Sequence, residues 1–445
     1  MADASNVFLE ILKDNWDGFK QKYPSYNSEY YNKVITKVLN CGNAELGFMR
    51  YQCLCCGLDE KIIGFSCKTL FCLRCSRLAA ADFVSEIQSK LHPGVIYRHL
   101  ILTMPEQTRP LFYLNRLEPE LYNLYFRAAW DCIQDVMRTV RRKLKLKCGC
   151  LMVLHVVGRM GDHKPHLHIL LMDGGIDEKT GHWVKFGKFP YEIMRKKWQH
   201  HFLKMIKEFS PTQETKKLVD KLWKEYPNGF VFNILEGAVP QKMRKLTNYI
   251  AKYLFRPSIS LKRIKWYDKN KKTVTYEYSS HETHKMETEK TDVMTFLGRM
   301  VQQILPSGFQ RVRYYGLQAT ASFRKSEAAI NEAMKLIDQD AVMEKDKNTF
   351  VVDQDIKKTF SDKVYALTGQ NPLKCKKCGH IMELVQIWVK GKGYVFDLLE
   401  YLESQATSPP NYKIDTPQSK KSPLKSQEPL PKQMDLLSLL DTIVS

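Results

Sequence analysis

Residues 151–175 read LMVLHVVGRMGDHKPHLHILLMDGG, and the reading of this stretch decides the fold. Two β-strands with a short connection are expected. The first, 151–159, is rich in Leu and Val. In the second, 166–172, His166, His168 and Leu170 alternate with Leu167, Ile169 and Leu171. Gly161, Asp162, Lys164 and Pro165 between the strands are turn residues. Side chains at i and i+2 of a strand leave the same face, so His166 and His168 project together. His155 sits on the neighbouring strand, and a suitable register brings three imidazoles to one point. Three nitrogen ligands with open positions suit a catalytic divalent metal rather than a closed structural one. A His-x-His on a strand can also be a half-exposed surface pair, so the rest of the chain has to weigh in.

At 445 residues the chain has room for two or three domains. No run of about 18 apolar residues occurs, so no membrane span is expected. The first twenty residues carry acids and lack the apolar core of a secretory signal, which points to the cytoplasm. A net charge of +21 exceeds what a fold requires. It points to a polyanionic partner, most simply nucleic acid, although charge can also serve only to keep a basic protein soluble. The 22 tyrosines would supply stacking surfaces for unpaired bases, or ordinary core.

Twelve cysteines in a cytosolic chain argue against a disulfide framework. Seven lie between Cys41 and Cys75, a clustering that reads as metal binding. Cys53-x-x-Cys56 and Cys72-x-x-Cys75 are separated by fifteen residues, the spacing of a zinc ribbon or treble clef. One structural zinc held by Cys53, Cys56, Cys72 and Cys75 is expected. Cys67 is a possible substitute, Cys55 a spare, and Cys41 able to approach; reduced, buried cysteines are the alternative. Cys375-Lys-Lys-Cys378-Gly379 is half a ribbon with no second pair after it, and His380 could assist.

Helical spacing marks residues 1–40, then 79–91, much of 106–147, 191–209 and about 211–226. Strands are expected at 95–103 and 229–235. This alternation predicts an α+β fold, a sheet with helices on one side. Residues 240–256, PQKMRKLTNYIAKYLFR, form the second chemical feature. Pro240 suits a helix start. Tyr249 and Tyr253 are one turn apart and share a face with Lys242, Lys245, Lys252 and Arg256. Leu246, Ile250 and Leu254 supply the buried stripe. A tyrosine pair on a helix is commonly core; cations beside it favour a phosphate-facing role. Arg311 and Arg313 lie on a basic strand at 309–315. The expected domains are N-terminal helices (1–40), a zinc module (41–92), the main domain (93–325) and a region with the half-ribbon (326–402). A disordered tail (403–445) with a short apolar helix at 434–444 completes the chain.

Several motifs, in order, resemble the rolling-circle transposases of the insertion sequence 91 type, within the His-hydrophobe-His nucleases. They are GFMRYQCLCCG and FSCKTLFCLRC, YRHLILTMP, LHVVGR with KPHLHILLMDGG, LTNYIAKYLFRPSIS and LPSGFQRVRYYGL. The resemblance spans about residues 35–320. One departure is Leu73-Arg74, where the family usually has a proline. The resemblance implies Tyr249 and Tyr253 as nucleophiles and His166 and His168 as metal ligands. His155 as third ligand resembles the three-histidine arrangement of conjugative relaxases. The family resemblance further implies that the sheet is antiparallel, with Mg²⁺ or Mn²⁺ for catalysis, Zn²⁺ for structure, and single-stranded DNA at transposon ends and target as partner. Host helicase or replication proteins are further candidate partners, and a prokaryotic, nucleoid-associated setting follows. The alternatives are a replication initiator or relaxase with the same chemistry, or a non-catalytic zinc DNA-binding regulator.

Overall fold

The apolar runs on either side of the histidines build the centre of the molecule. A computed structural model describes residues 7–401 except 141–142, 159–160, 188–189, 236–238, 240–244, 247–248, 251–258, 260, 280–284, 339–360, 363, 366–369 and 399. The tail expected at 403–445, with its terminal helix, lies outside the described residues.

Helices α1 (Val7–Lys22) and α2 (Glu29–Leu39) open the chain. Ser28 caps α2, its side chain accepting from the Tyr31 amide, which satisfies a donor that the helix cannot pair itself. Strands β1 (Gly47–Gln52) and β2 (Glu60–Gly64) form a hairpin, followed by helix α3 (Leu73–Lys90). Strand β3 (Tyr97–Leu102), short helix α4 (Arg109–Leu114) and long helix α5 (Pro119–Val140) lead to strands β4 (Leu146–Lys147), β5 (Gly149–Val157), β6 (His163–Met172), β7 (Gly174–Asp177) and β8 (Trp183–Lys185). Helices α6 (Tyr191–Phe209) and α7 (Gln213–Glu225) precede strand β9 (Phe232–Ile234). Strands β10 (Ile264–Asp268), β11 (Thr273–Ser279) and β12 (Met286–Asp292) form a meander that ends on helix α8 (Val293–Val301). Strand β13 (Val312–Gly316), helix α9 (Phe323–Asp338) and strands β14 (Glu383–Val389) and β15 (Gly393–Asp397) follow.

The central sheet runs β13-β5-β6-β3-β9, and every described pairing in it is antiparallel. Cys150, Met152, Leu154, Leu167, Ile169 and Leu171 leave one face and pack under α5 and α6, against Tyr125, Phe126, Trp198 and Phe202. Fully burying each large apolar side chain contributes roughly 1.5–3 kcal/mol before entropy is counted. The expectation of helices on one side is corrected here. Leu151, Val153, Leu170 and Met172 leave the other face and are equally buried, under Phe83 and Ile87 of α3, Ile330 and Ala333 of α9, and Leu246 and Ile250. Strands that are apolar on both sides need cover on both sides.

The second sheet joins distant parts of the chain. Its order is β15-β14-β1-β2, so strands from the end of the described chain pair with the hairpin near its start. The cysteine module and the segment carrying Cys375 and Cys378 thus share one sheet.

Candidate active site

Register decides the histidine geometry. His155 on β5 pairs directly with His166 on β6, and Val153 pairs with His168. Cross-strand partners share a face, so all three imidazoles stand together on the α3 side. The pairing shifts between His155 and Val157, a bulge of the kind that re-aims side chains. Gly161 turns the hairpin with φ +82°, and a β-carbon there would meet the Arg299 side chain. Ring centroids lie 5.3 Å apart for His155 and His166, 4.4 Å for His155 and His168, and 5.1 Å for His166 and His168. One ring nitrogen from each falls within 4.8 Å of the others.

The tautomer of His166 suits a metal. Nδ1 of His166 donates to the Lys164 carbonyl oxygen at 2.7 Å, which leaves Nε2 with its lone pair. Burial lowers the pKa of His166 and pushes that of His168 well below the ordinary range; the neighbouring histidines and the Arg311 charge add to the effect at His168. Neutral imidazole is the form that ligates metal. The donor set fits a divalent transition metal such as Mn²⁺ better than it fits Mg²⁺, which prefers oxygen.

A fourth histidine joins the cluster, and the sequence reading missed it. His99 lies on β3 next to β6, paired with Leu170, and is 1% exposed. Its Nε2 is 2.8 Å from Nδ1 of His168, and its Nδ1 is 2.7 Å from the Tyr249 hydroxyl. Burial pushes its pKa down to about 3, so it is a neutral bridge with one donor and one acceptor. The available signal was a lone histidine in the apolar strand YRHLIL; what it lacked was the knowledge that this strand pairs with β6.

Tyr249 is half-buried on a helical turn, with Leu246 and Ile250 buried beneath it. Tyr253, Lys242, Lys252 and Arg256 lie outside the described residues. Lys245 is exposed. Arg311 is close enough to His168 for its charge to act on that ring, and burial pushes its own pKa down to about 10. Arg313 points elsewhere. Its guanidinium lies over Phe126 and Phe309, at 4.5 and 5.1 Å, and donates to Asn123, on the α5 face of the sheet.

The cysteines divide differently from the expected set. Cys53 and Cys56 do not meet Cys72 and Cys75. Instead Cys41, Cys67, Cys72 and Cys75 gather their sulfurs within 4.8 Å, and Cys53, Cys56, Cys375 and Cys378 form a second such group. The reason is architectural. Cys72 is the N-cap of α3, and Cys75 sits in its first turn, facing the end of α2 where Cys41 lies. Cys53 and Cys56 close the far end of the β1–β2 hairpin. In the first group Cys41 and Cys75 are 3.4 Å apart, Cys67 and Cys75 3.6 Å, and Cys41 and Cys72 3.7 Å. A tetrahedron with Zn–S near 2.3 Å has edges of roughly 3.8 Å, whereas a disulfide needs about 2.05 Å. The Leu73-Arg74 departure occupies the first turn of α3, where proline and other residues fit alike, and leaves the sulfurs in place.

Residues 149–327 match a family model described as "Putative transposase", and residues 11–104 match one described as "Transposase zinc-binding domain". The chain is similar to the "Transposase for insertion sequence element IS801" of Pseudomonas savastanoi pv. phaseolicola, 26% identical over 361 residues that cover 78% of this chain and 81% of that protein. It is also similar to "Putative transposase y4qJ" of Sinorhizobium fredii (strain NBRC 101917 / NGR234), 24% identical over 397 residues, 85% of this chain and 94% of that protein. No solved structure matches.

Proposed function

We propose that this chain is a transposase of the insertion sequence 91 family, which cuts and rejoins single-stranded DNA with Tyr249 as a nucleophile. The observation that carries the reading is the continuous contact from phenol to imidazole trio: Tyr249 to His99 to His168, each link under 3 Å. The phenol oxygen attacks a phosphodiester phosphorus. The bond from phosphorus to the 3′ oxygen breaks, the phenol gives up its proton to solvent and the 3′ oxygen takes one up from solvent, and the 5′ phosphate stays on the tyrosine. Rejoining reverses the step, and the covalent link conserves the energy of the cut bond. Tyr253, four residues further along the sequence, is proposed to hold a second strand end.

His155, His166 and His168 would hold Mg²⁺ or Mn²⁺, which when bound supplies charge stabilisation to the phosphate oxygens. The protein's own residues do the rest. With its Nε2 turned to the ion, His168 would carry its proton on Nδ1 and donate a hydrogen bond to His99 Nε2. His99 then carries its proton on Nδ1 and donates to Tyr249. A donated hydrogen bond favours the phenolate, so His99 orients and readies the nucleophile without taking its proton. Arg311 and Lys245 are proposed to meet the DNA backbone, along with Lys242, Lys252 and Arg256. A structural zinc on Cys41, Cys67, Cys72 and Cys75 would fix the first turn of α3 against α2, since four thiolates leave no open position. Among the described residues no helix is long and apolar enough to cross a membrane; we place the protein in the cytoplasm, on DNA.

The test is direct. The protein is incubated with 3′-labelled single-stranded DNA and Mg²⁺ or Mn²⁺, then run on a denaturing gel. A covalent band that disappears with chelator is expected. DNA binding without any adduct would instead support a zinc-containing regulator.

A further inference from the structure

We propose that Cys53, Cys56, Cys375 and Cys378 hold a second structural zinc ion, in a ribbon assembled from two segments more than 300 residues apart. The two halves are alike. Each is Cys-x-x-Cys-Gly, and the glycine after the second cysteine has positive φ, +68° at Gly57 and +80° at Gly379. Each turn closes with the glycine amide donating to the carbonyl of the first cysteine, 2.8 Å at Gly57 to Cys53 and 3.1 Å at Gly379 to Cys375. Those glycines adopt a left-handed conformation that other residues enter only at a cost.

The sheet aligns the two turns. β1 pairs antiparallel with β14, with Gln52 opposite Glu383, so the turn that leaves β1 and the turn that enters β14 end at the same edge. Cys53 Sγ is 3.4 Å from Cys378 Sγ, and Cys56 Sγ is 3.7 Å from Cys375 Sγ. All four sulfurs lie within 4.8 Å of one another. These are the edges of a thiolate tetrahedron around zinc and far too long for disulfides. The amides of Lys377 and Cys378 point at Cys375 Sγ, 3.3 and 3.5 Å away. Lys61 spans the halves by donating to the Pro372 carbonyl, and the Lys376 amide donates to Asp59.

The metal has structural work to do. The six buried residues of the apolar cluster between the halves are Tyr51, Cys53, Ile63, Leu373, Cys375 and Met382, with Met49, Cys56 and Leu384 packed against them. Two of those six are ligands, and so small a core cannot hold a hairpin by burial alone. Binding of zinc to four preplaced thiolates supplies that stability. Cys55 and His380, the other candidates nearby, are exposed. Cys375 and Cys378 lie beyond both stretches matched by the family models. The zinc module of this chain is therefore complete only once its late segment has been made.

Metal content tests this independently of DNA cleavage. Full-length His166→Ala/His168→Ala protein is used, so that the histidine trio contributes no ion. Two zinc ions per chain are expected, with an all-sulfur shell by X-ray absorption and, after exchange, a cobalt–thiolate spectrum of matching intensity. Adding Cys375→Ser/Cys378→Ser should lower the content to one and halve the cobalt signal, and Cys53→Ser/Cys56→Ser should do the same. One zinc per chain before any cysteine is changed overturns the proposal, whether or not the cysteine variants fold. Two ions retained after Cys375 and Cys378 are replaced overturn it as well.

Discussion

His99 Nδ1 stands 2.7 Å from the Tyr249 hydroxyl while its Nε2 stands 2.8 Å from His168 Nδ1. One neutral ring therefore ties the proposed nucleophile to a proposed metal ligand. Partners that orient a ligating histidine commonly account for 10–100-fold in metal affinity or activity. His99→Ala should slow single-turnover adduct formation by about that factor and weaken Mn²⁺ binding, with DNA affinity unchanged. His99→Gln, which keeps a donor, should lose less. Unchanged rate and unchanged metal affinity in His99→Ala would reduce His99 to packing.

Tyr249→Phe keeps the ring and removes the oxygen. The lost hydrogen bond to His99 costs about 1 kcal/mol, too little to unfold the protein, so thermal unfolding serves as the control. Adduct yield should fall sharply, and Tyr249→Phe/Tyr253→Phe should abolish it, since removal of a nucleophile costs on the order of 10³-fold or more. An undiminished adduct in the double variant would exclude both phenols.

What was legible in the sequence was local. Strand alternation put His166 and His168 on one face, and β5 pairs with β6 in the register that adds His155. The cysteine pairs announced tight turns but not which turns share an ion. Spacing joins neighbours in sequence, whereas Cys53 and Cys56 meet Cys375 and Cys378 through β1–β14 pairing. His99 stayed hidden for the same reason, because its role depends on β3 lying beside β6. The second helical layer had a readable signal. Leu151 to Leu154 and Leu167 to Met172, His168 apart, are apolar without alternation, and unbroken apolar strands are covered on both faces.

His166→Ala/His168→Ala should abolish cleavage and leave binding of single-stranded DNA intact. The trio is assembled by backbone pairing, so shortening two rings leaves the strands in place. The variant should also lose binding of Mn²⁺, read by titration calorimetry. Retained cleavage would remove the metal from the reaction.

His163 gives a pH dependence that separates itself from the metal sites. It lies on β6 beside Tyr113, ring centroids 5.6 Å apart, and neither of its ring nitrogens has a hydrogen-bond partner among the described residues. Burial first, then the charges of Arg116 and Arg109, push its pKa down to about 4. In the unfolded chain it titrates near 6.5. Between those values the unfolded state binds the extra proton, so stability is present above pH 6.5 and falls as pH drops towards 4. At 1.36 kcal/mol per unit, His163 should account for about 2 kcal/mol of loss between pH 6.5 and pH 5. His163→Phe keeps a ring beside Tyr113 and removes both unpaired nitrogens, so at pH 7 it should be as stable as the parent or more so. Zinc release and the other histidines titrate alike in both proteins, so the difference between their urea unfolding curves at the two pH values isolates His163. Parallel losses in the two proteins would mean that this ring is already protonated, or already hydrated, in the native state.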